Sequence, residues 1–473
     1  MNFLIIEDNS QYIDVLTRII KKLSSDAVIT VRSSADEAIE LLRENFFDIV
    51  ILDMSVPASV DDSVHKPAHG MRVFAETQKS SPGSPIFVLT GSSARSYGPH
   101  VEDLVRGCAK ADIWGDGVER NVMNFSRKRD LRRFEEELTN YIQSFNKIRD
   151  VELDRGSLDL RPSFDRLLRI FSHSIGGASC TIIPVSGGLS GTPVFRLQIR
   201  DGQGNLAQGV IGKLGPIATI VDESQRYDRF ANLLPPEATP RKMRVQRWGA
   251  GADGGVFYQL AQGYNQNIFS RLMDVATIEA AVGGLARMTS TWARKQVQKK
   301  VSDIRRIELS DEKFEEVVAE FELDWLRGFE QHAVRTSWAC THGDMHGANI
   351  LVDEDSNPIL IDFGDMSDGP ASRDPLTLEF SAFFHVDGPL RRKKWPGAAA
   401  TLAFTDVNAY LENCPAASFV RACRAWAENR TASQREKLAV AYAYFVRQLK
   451  YEDTDKDLIK NLLQGVKIAF DRT

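Results

Sequence analysis

The sequence has few cysteines, and none of them stands in a ligand set or a disulfide framework. The five thiols lie far apart along the chain, at Cys108, Cys180, Cys340, Cys414 and Cys423. The paired spacing that zinc sites and redox motifs use does not occur, and an odd number of thiols cannot all pair with one another. We therefore expect a reducing, cytoplasmic compartment in which these side chains fill the protein core.

Long apolar runs and an excess of basic charge are also absent. No stretch approaches the roughly 20 apolar residues that a membrane span requires, and Glu7 and Asp8 stand where a signal peptide would carry basic residues. The formal net charge is −5, which offers no attraction to nucleic acid. We expect no membrane span and no nucleic-acid partner, and we find no basic helix-turn-helix of the kind that a transcription factor would need.

The composition is that of a globular protein with more than one domain. Hydrophobic residues make up 43% and charged residues 26% of the 473 residues, which allows each domain to build its own core. In residues 1–117 short apolar runs alternate with helical patterns, as in NFLIIED, DEAIELLREN and FDIVILD. Apolar runs of this kind predict buried parallel strands, and the helices between them indicate an α/β doubly wound sheet.

Acidic and hydroxyl side chains follow the predicted strands of this sheet. Glu7 and Asp8 close the first strand, Asp53 closes the third, and Thr90 ends the strand PIFVLT. Because the carboxyl ends of parallel strands meet at one edge, we expect these groups to lie together. The three carboxylates are suitable ligands for Mg²⁺, and the hydroxyl of Thr90 can hydrogen-bond a phosphate on Asp53.

These residues, with Pro57 four positions after Asp53, resemble the response-regulator receiver family over about residues 1–117. The resemblance implies that Asp53 accepts a phosphoryl group from a sensor histidine kinase or a small phosphodonor. The family also carries a lysine at the end of its fifth strand, but GCAKADIWGDG has Trp114, Gly115 or Asp116 at that place, and Lys110 falls too early. We therefore predict that this lysine is missing and that coupling to the output surface is weakened.

Residues 118–153 form a predicted amphipathic linker. The segment 119–149 has no proline or glycine, and its apolar residues follow heptad spacing at Leu131, Phe134, Leu138, Tyr141, Phe145 and Ile148. One long helix accounts for this pattern. The helix either packs against a neighbouring domain or forms a short coiled coil that makes the protein a homodimer.

The segment THGDMHGANILVDEDSNPILIDFGD carries the most specific motif of the chain. Asp344 and Asn349 lie in a loop before one predicted strand, and Asp362 follows the next, so that a strand–turn–strand hairpin brings both ends to one site. Phosphoryl transfer needs a carboxylate that orients the attacking hydroxyl, and it needs an amide oxygen and a second carboxylate that bind Mg²⁺.

The motif resembles the aminoglycoside phosphotransferase and choline kinase branch of the kinase-like superfamily, which has H-G-D-x-H-x-x-N in place of H-R-D. The resemblance implies an α+β bilobal domain over residues 154–473, with an N-lobe at about 154–264 and a C-lobe at about 265–473. By the same resemblance Asp344 is the catalytic base, and Asn349 and Asp362 hold Mg²⁺. Asp365 and Asp374 either help to order the following segment or are plain loop or cap residues.

Upstream residues fit the nucleotide side of such a domain. Lys213 lies near the end of an apolar strand, where it would pair with the phosphates of ATP or another nucleoside triphosphate, and Glu223 is its expected ion-pair partner. A glycine-rich turn precedes them and can place backbone N–H groups over phosphates, through Gly187, Gly188, Ser190 and Gly191.

Together these features predict a signalling protein in which a phosphorylatable receiver regulates an ATP- and Mg²⁺-dependent phosphotransferase. Its acceptor would be an unidentified hydroxyl compound or protein. The alternative is an adaptor whose kinase-like domain binds nucleotide without turnover and serves as a docking module.

Overall fold

The computed structural model describes residues 1–91, 110–185, 192–261, 263–393 and 395–473. The chain divides into two compact units, one of residues 1–221 and 242–259 and the other of residues 222–241 and 260–473. Within the described ranges no helix combines the length and the apolar character that crossing a bilayer would take.

The first unit begins with a five-stranded parallel sheet in the order β2-β1-β3-β4-β7. The strands are β1 (Asn2–Ile6), β2 (Val28–Arg32), β3 (Ile49–Asp53), β4 (Ile86–Thr90) and β7 (Met123–Arg127), and a short antiparallel pair, β5 (Lys110–Ala111) and β6 (Arg120–Asn121), precedes β7. The helices are α1 (Ser10–Leu23), α2 (Ala35–Glu44), α3 (Pro67–Ser80) and α4 (Leu131–Arg149). Buried apolar clusters pack on both faces of the sheet, which explains the continuous apolar runs and confirms the predicted α/β fold.

The fifth strand of this sheet lies later in the chain than the sequence pattern predicts. β7 pairs with β4 in parallel, with Ile86 opposite Met123 and Thr90 opposite Arg127. Among its described residues, the segment GCAKADIWGDG contributes only Lys110–Ala111 to the short antiparallel pair, and Trp114 is fully buried in the core. The sheet therefore continues past residue 117, and the predicted domain boundary at that point is too early.

Helix α4 belongs to this domain and is not a linker. It begins at Leu131 and not near residue 119, since β6 and β7 lie within residues 120–127. Its heptad face is buried against the sheet: Phe134 and Leu138 are fully buried, and the rings of Phe134 and Tyr141 meet the edge of Phe87 at 5.7 and 5.1 Å. The helix thus packs within its own chain, but its partner is the parallel sheet itself and not a neighbouring domain. The coiled-coil alternative is wrong, since the face that would pair two chains is already covered.

A second, six-stranded sheet in the first unit has the order β12-β13-β11-β10-β9-β8. Its strands are β8 (Glu152–Asp154), β9 (Ser179–Pro184), β10 (Val194–Arg200), β11 (Leu206–Pro216), β12 (Arg241–Gln246) and β13 (Asp253–Gln259). Helix α5 (Pro162–Ser174) packs on this sheet, where Phe171 stacks on Phe257 at 3.9 Å, and α6 (Ile217–Phe230) follows β11. This is the small β-rich lobe that the sequence predicts.

Polar contacts join the two sheets at the amino-terminal edge of the parallel sheet. Gly83, which precedes β4, makes two backbone hydrogen bonds to the 249–251 segment, at 2.8 and 2.7 Å. Asp48, which precedes β3, accepts a hydrogen bond from Arg166 Nη1 at 2.5 Å. A five-residue strand rises roughly 15 Å, so these contacts lie about that far from Asp53 at the opposite end of β3.

The second unit is mainly helical and contains two three-stranded sheets, β14-β17-β18 and β15-β16-β19. The strands are β14 (Gln266–Asn267), β15 (Lys295–Lys300), β16 (Ala333–Thr341), β17 (Ile350–Val352), β18 (Pro358–Leu360) and β19 (Ser367–Pro370). The helices are α7 (Ile268–Arg271), α8 (Val275–Thr289), α9 (Val301–Glu308), α10 (Asp311–Glu320), α11 (Trp325–Phe329), α12 (Arg373–Phe384), α13 (Ala398–Leu402), α14 (Val407–Tyr410), α15 (Ala417–Arg430), α16 (Gln434–Gln448) and α17 (Lys456–Asp471). Short 3₁₀ turns lie at Ala231–Leu233, Pro236–Ala238 and Gly347–Asn349.

The four described cysteines are free thiols. Cys180, Cys340 and Cys423 are buried, as the sequence predicts, and Cys414 is half-buried. Cys108 lies outside the described residues.

Candidate phosphoacceptor and phosphotransfer sites

Three carboxylates meet at the carboxyl edge of the parallel sheet. Glu7 and Asp8 follow β1, and Asp53 is the last residue of β3. Each side chain offers one oxygen, and these oxygens lie within 4.8 Å of one another. We call Glu7, Asp8 and Asp53 the acidic cluster. Glu7 and Asp53 are buried, with 1% and 4% of their surface exposed, so their charges need a compensating cation.

Lys128, directly after β7, supplies a positive charge to this cluster. Its Nζ atom lies 2.6 Å from Glu7 Oε2 and 2.9 Å from Asp53 Oδ2. The prediction that the receiver lacks this lysine is therefore wrong. The segment MNFSR followed by lysine is the sequence signal for this strand and its lysine. The heptad spacing after it predicts one helix over residues 119–149 instead.

The pKa values of Glu7 and Lys128 both lie above their ordinary values. Burial and the neighbouring Asp53 charge raise the pKa of Glu7, although Lys128 opposes them. Burial alone would lower the pKa of Lys128, but its hydrogen bonds to Glu7 and Asp53 outweigh that effect and raise it. The ammonium group of Lys128 therefore stays charged, and the site favours positive charge. The metal ligands that the acidic cluster offers are all carboxylate oxygens, the ligand type that Mg²⁺ prefers.

Thr90 ends β4 at the same edge of the sheet, as predicted. Its backbone pairs with Arg127, one residue before Lys128. The side chain of Thr90 lies outside the described part of the structure.

The hairpin that joins the predicted catalytic residues is present in the second unit. β17 and β18 pair antiparallel, with Ile350 opposite Leu360. Asn349 Nδ2 donates to the carbonyl of Asp344 at 3.0 Å, and the backbone N–H of Ile361 donates to the carbonyl of Asn349 at 3.0 Å. These bonds tie Asp344 and Asn349 to the segment that leads into Asp362. The side-chain bond uses Nδ2 of Asn349 and not its side-chain oxygen.

Asp374 orders the loop that carries Asp344. Its two carboxylate oxygens accept hydrogen bonds from the backbone N–H groups of His342 and Gly343, at 2.9 and 3.1 Å. Gly343 has φ of +87°, and a Cβ atom there would lie 2.2 Å from the carbonyl oxygen of Asp365. Only glycine fits this turn. Asp374 therefore has an ordering role, but it acts on the preceding loop at His342 and Gly343 and not on the following segment, as the sequence interpretation had it.

Buried charges surround the same loop. Glu308 accepts hydrogen bonds from Arg373 Nε at 2.6 Å and from Arg447 Nη1 at 2.8 Å. Burial would raise the pKa of Glu308, but the two guanidinium groups outweigh it and lower the pKa. Because Arg373 directly precedes Asp374, this network fixes the start of α12 next to the loop that carries Asp344.

His346 is a neutral imidazole beside Asp344. Its Nε2 atom lies 3.6 Å from Asp344 Oδ2, and burial lowers its pKa to about 4. Asp365 shows the opposite effect, because partial desolvation and the negative charges of Asp344 and Asp362 raise its pKa. Negative potential is therefore concentrated at the end of the hairpin, which fits the binding of a divalent cation.

The residues predicted to bind the nucleotide phosphates are divided between the two units, with Lys213 in the first and Glu223 in the second. Lys213 lies in β11 between Val194 of β10 and Val256 of β13, and only 3% of its surface is exposed. Glu223 is buried in α6. The four residues of the predicted glycine-rich turn lie outside the described residues, namely Gly187, Gly188, Ser190 and Gly191.

Comparison with known proteins identifies both parts of the chain. Residues 3–104 match the family model of the response regulator receiver domain, and residues 217–395 match that of the phosphotransferase enzyme family, APH. No curated protein gives a significant match to this chain.

Among solved structures, the chain is similar to an aminoglycoside-3'-phosphotransferase of type VIII, with 18% identity, a TM-score of 0.34, and coverage of 61% of this chain and 98% of that one. It is also similar to a CheY-like receiver domain protein from Methanospirillum hungatei JF-1, with 18% identity, a TM-score of 0.22, and coverage of 30% and 97%. The two family matches by themselves support a response regulator receiver domain at residues 3–104 and a phosphotransferase domain of the APH family at residues 217–395.

Proposed function

We propose that this protein is an ATP- and Mg²⁺-dependent phosphotransferase whose activity is set by phosphorylation of its receiver domain. The observation that carries the proposal is the catalytic loop, in which Asp374 and Asn349 hold the backbone around Asp344. A loop fixed in this way keeps a carboxylate in place for a reacting hydroxyl, which is the main contribution of protein groups to phosphoryl transfer.

Each residue of the phosphotransferase has a distinct role in this proposal. Asp344 orients the acceptor hydroxyl and takes its proton, while Asn349 and Asp362 hold Mg²⁺ through oxygen atoms. Bound Mg·ATP supplies the phosphoryl group and the charge that neutralises its oxygens. Lys213 and the glycine-rich turn would hold the nucleotide phosphates, and Glu223 would hold Lys213 in place. The acceptor is a small molecule or a protein with a free hydroxyl group.

In the receiver, Asp53 accepts a phosphoryl group from a sensor histidine kinase or a small phosphodonor. The acidic cluster supports this role because its carboxylates suit Mg²⁺, and Thr90 lies at the same edge of the sheet. Lys128 already contacts Asp53, so a phosphoryl group added there changes the balance of charge around the ammonium.

Helix α4 is the route that we propose for coupling. It begins three residues after Lys128 and, with 19 residues, runs roughly 28 Å. Near its other end Phe145 lies under the guanidinium of Arg166, at 4.1 Å, and against the edge of Trp114, at 5.5 Å. Arg166 belongs to α5 of the six-stranded lobe and also pairs with Asp48. A shift of Lys128 can therefore reach this lobe through one rigid element.

ATP turnover in wild type, Asp344→Asn and Asp362→Ala tests the catalytic part. We expect Asp344→Asn to bind Mg·ATP nearly normally and to lose about 100-fold or more in turnover, the usual contribution of a general base. We expect Asp362→Ala to weaken Mg·ATP binding as well, because a metal ligand is removed. The measurements are a fluorescent ATP-analogue titration with and without Mg²⁺ and an ATP hydrolysis or transfer assay.

Two outcomes would contradict this part of the proposal. Nucleotide binding without turnover in wild type and in both variants would favour the docking adaptor. A wild-type protein with no Mg²⁺-dependent nucleotide binding would remove the phosphotransferase function altogether.

A further inference from the structure

The loop between β3 and α3, residues 54–66, brings a histidine to the acidic cluster. Its base is fixed by a β-bridge between Val56 and Lys66. The carbonyls of Pro57 and Ala58 accept hydrogen bonds from the first backbone N–H groups of α2, at 3.0 and 2.9 Å. The loop is therefore anchored at both ends, and the position of His65 within it is defined.

His65 lies close to two oxygen atoms at the edge of the cluster. Its Nδ1 atom is 3.5 Å from Asp8 Oδ2 and 3.3 Å from the carbonyl oxygen of Ser55. Neighbouring ligand atoms around one octahedral cation, each about 2.1 Å from the metal, are about 3 Å apart. The two separations measured from Nδ1 exceed that value by only a few tenths of an ångström, so Nδ1 is close enough to share an ion with Asp8 or with the Ser55 carbonyl.

The charges around Asp8 differ from those around the other two carboxylates. Lys128 pairs with Glu7 and Asp53, whereas Asp8 pairs with His65 among the described residues. The imidazole ring is 44% exposed and can exchange ligands with solvent. An all-oxygen set suits Mg²⁺, but a nitrogen donor raises affinity for later first-row transition metals.

We propose that His65 is a nitrogen ligand of the receiver's cation, and that this receiver binds imidazole-preferring divalent cations such as Co²⁺ more tightly than an oxygen-only site would. A simpler role for His65 is a hydrogen bond to Ser55 that holds the loop. That role makes no distinction between cations. Metal selectivity therefore separates the two, and its measurement needs neither phosphorylation nor ATP turnover.

The test is calorimetric titration of the full-length, nucleotide-free protein with CoCl₂ and, separately, with MgCl₂. His65→Gln should weaken Co²⁺ binding about tenfold or more, within the range for loss of a group that supports a metal, and should leave Mg²⁺ affinity within about twofold. The visible absorption spectrum of bound Co²⁺ should change in the same variant. Asp8→Asn should weaken the binding of both cations, which assigns the event to the receiver.

His69→Gln is the matched control. His69 follows four residues later, and its Nδ1 atom lies 3.0 Å from the carbonyl oxygen of Val56. We expect this variant to keep wild-type affinity for both cations. Equal losses of Co²⁺ and Mg²⁺ affinity in His65→Gln, or an unchanged Co²⁺ affinity and spectrum, would overturn the proposal.

Discussion

Asp374 acts on the catalytic loop through two backbone N–H groups and has no contact with a reacting atom in the proposed mechanism. Asp374→Asn keeps one acceptor oxygen and turns an NH₂ group toward the other N–H. A buried donor left without an acceptor costs about 1–3 kcal/mol. We expect turnover to fall about tenfold or more, with Mg·ATP affinity little changed.

Parallel binding and turnover assays on Asp374→Asn would check this separation. Asp368→Asn is the control, because Asp368 is an exposed aspartate in the neighbouring β19. Equal turnover in wild type and Asp374→Asn would contradict the positioning role.

His346 gives the phosphotransferase domain a specific dependence of stability on pH. Burial lowers its folded-state pKa to about 4, below the ordinary value of about 6.5. As pH falls from about 6.5 to 4, His346 is protonated in the unfolded chain but stays neutral in the folded chain. The free energy of unfolding therefore decreases over this range. The loss amounts to roughly 3 kcal/mol when complete.

Thermal unfolding of wild type and His346→Gln across pH 4 to 8 would measure this effect. The variant should be less sensitive to acid over that interval, whatever its stability at neutral pH. Parallel pH profiles of the two proteins would show that His346 is not the titrating group.

At the scale of single elements, α4 shows how a sequence pattern can have two structural meanings. Its heptad face is buried in the receiver core, so Leu138→Glu places an unpaired carboxylate among apolar groups. We expect this substitution to lower the free energy of unfolding of the receiver by about 3 kcal/mol or more. Gln143→Glu, on the exposed side of the same helix, should have little effect.

Chemical denaturation followed by circular dichroism would measure these changes, and sedimentation would report on association. A folded Leu138→Glu variant that differs from wild type only in self-association would restore the coiled-coil interpretation.

The sequence predicted the elements whose signals are local and specific. The motif around Asp344 and Asp362 has fixed spacing, and the apolar strands before Glu7 and Asp53 end in carboxylates, so both sites could be found without a structure. β7 and Lys128 could not, because MNFSR is short and only partly apolar, and it directly precedes a strong helical pattern. Which strand joins the edge of a sheet depends on tertiary pairing, and local spacing does not encode it. The role of Asp374 was equally hidden, since its partners are backbone atoms 31 and 32 residues earlier.

At the scale of the molecule, the two edges of the parallel sheet carry different features. The carboxyl edge carries the acidic cluster and Lys128, and the amino edge carries the contacts of Gly83 and Asp48 with the six-stranded lobe. Among the described residues, Asp53 therefore lies at the edge opposite the contacts with that lobe. In the regulation that we propose, the effect of a phosphoryl group on Asp53 passes through the sheet or α4 as a change in structure and not by blocking of a shared surface.

The most direct test of this account compares ATP turnover of the full-length protein before and after phosphorylation of the receiver by acetyl phosphate and Mg²⁺, with intact mass as the measure of phosphate uptake. Coupling free energies between sites are typically 1–3 kcal/mol, so we predict a change in turnover of about fivefold or more. Asp53→Asn should take up no phosphate and show no change. A wild-type protein that gains one phosphoryl group at Asp53 and keeps the same turnover would contradict the account.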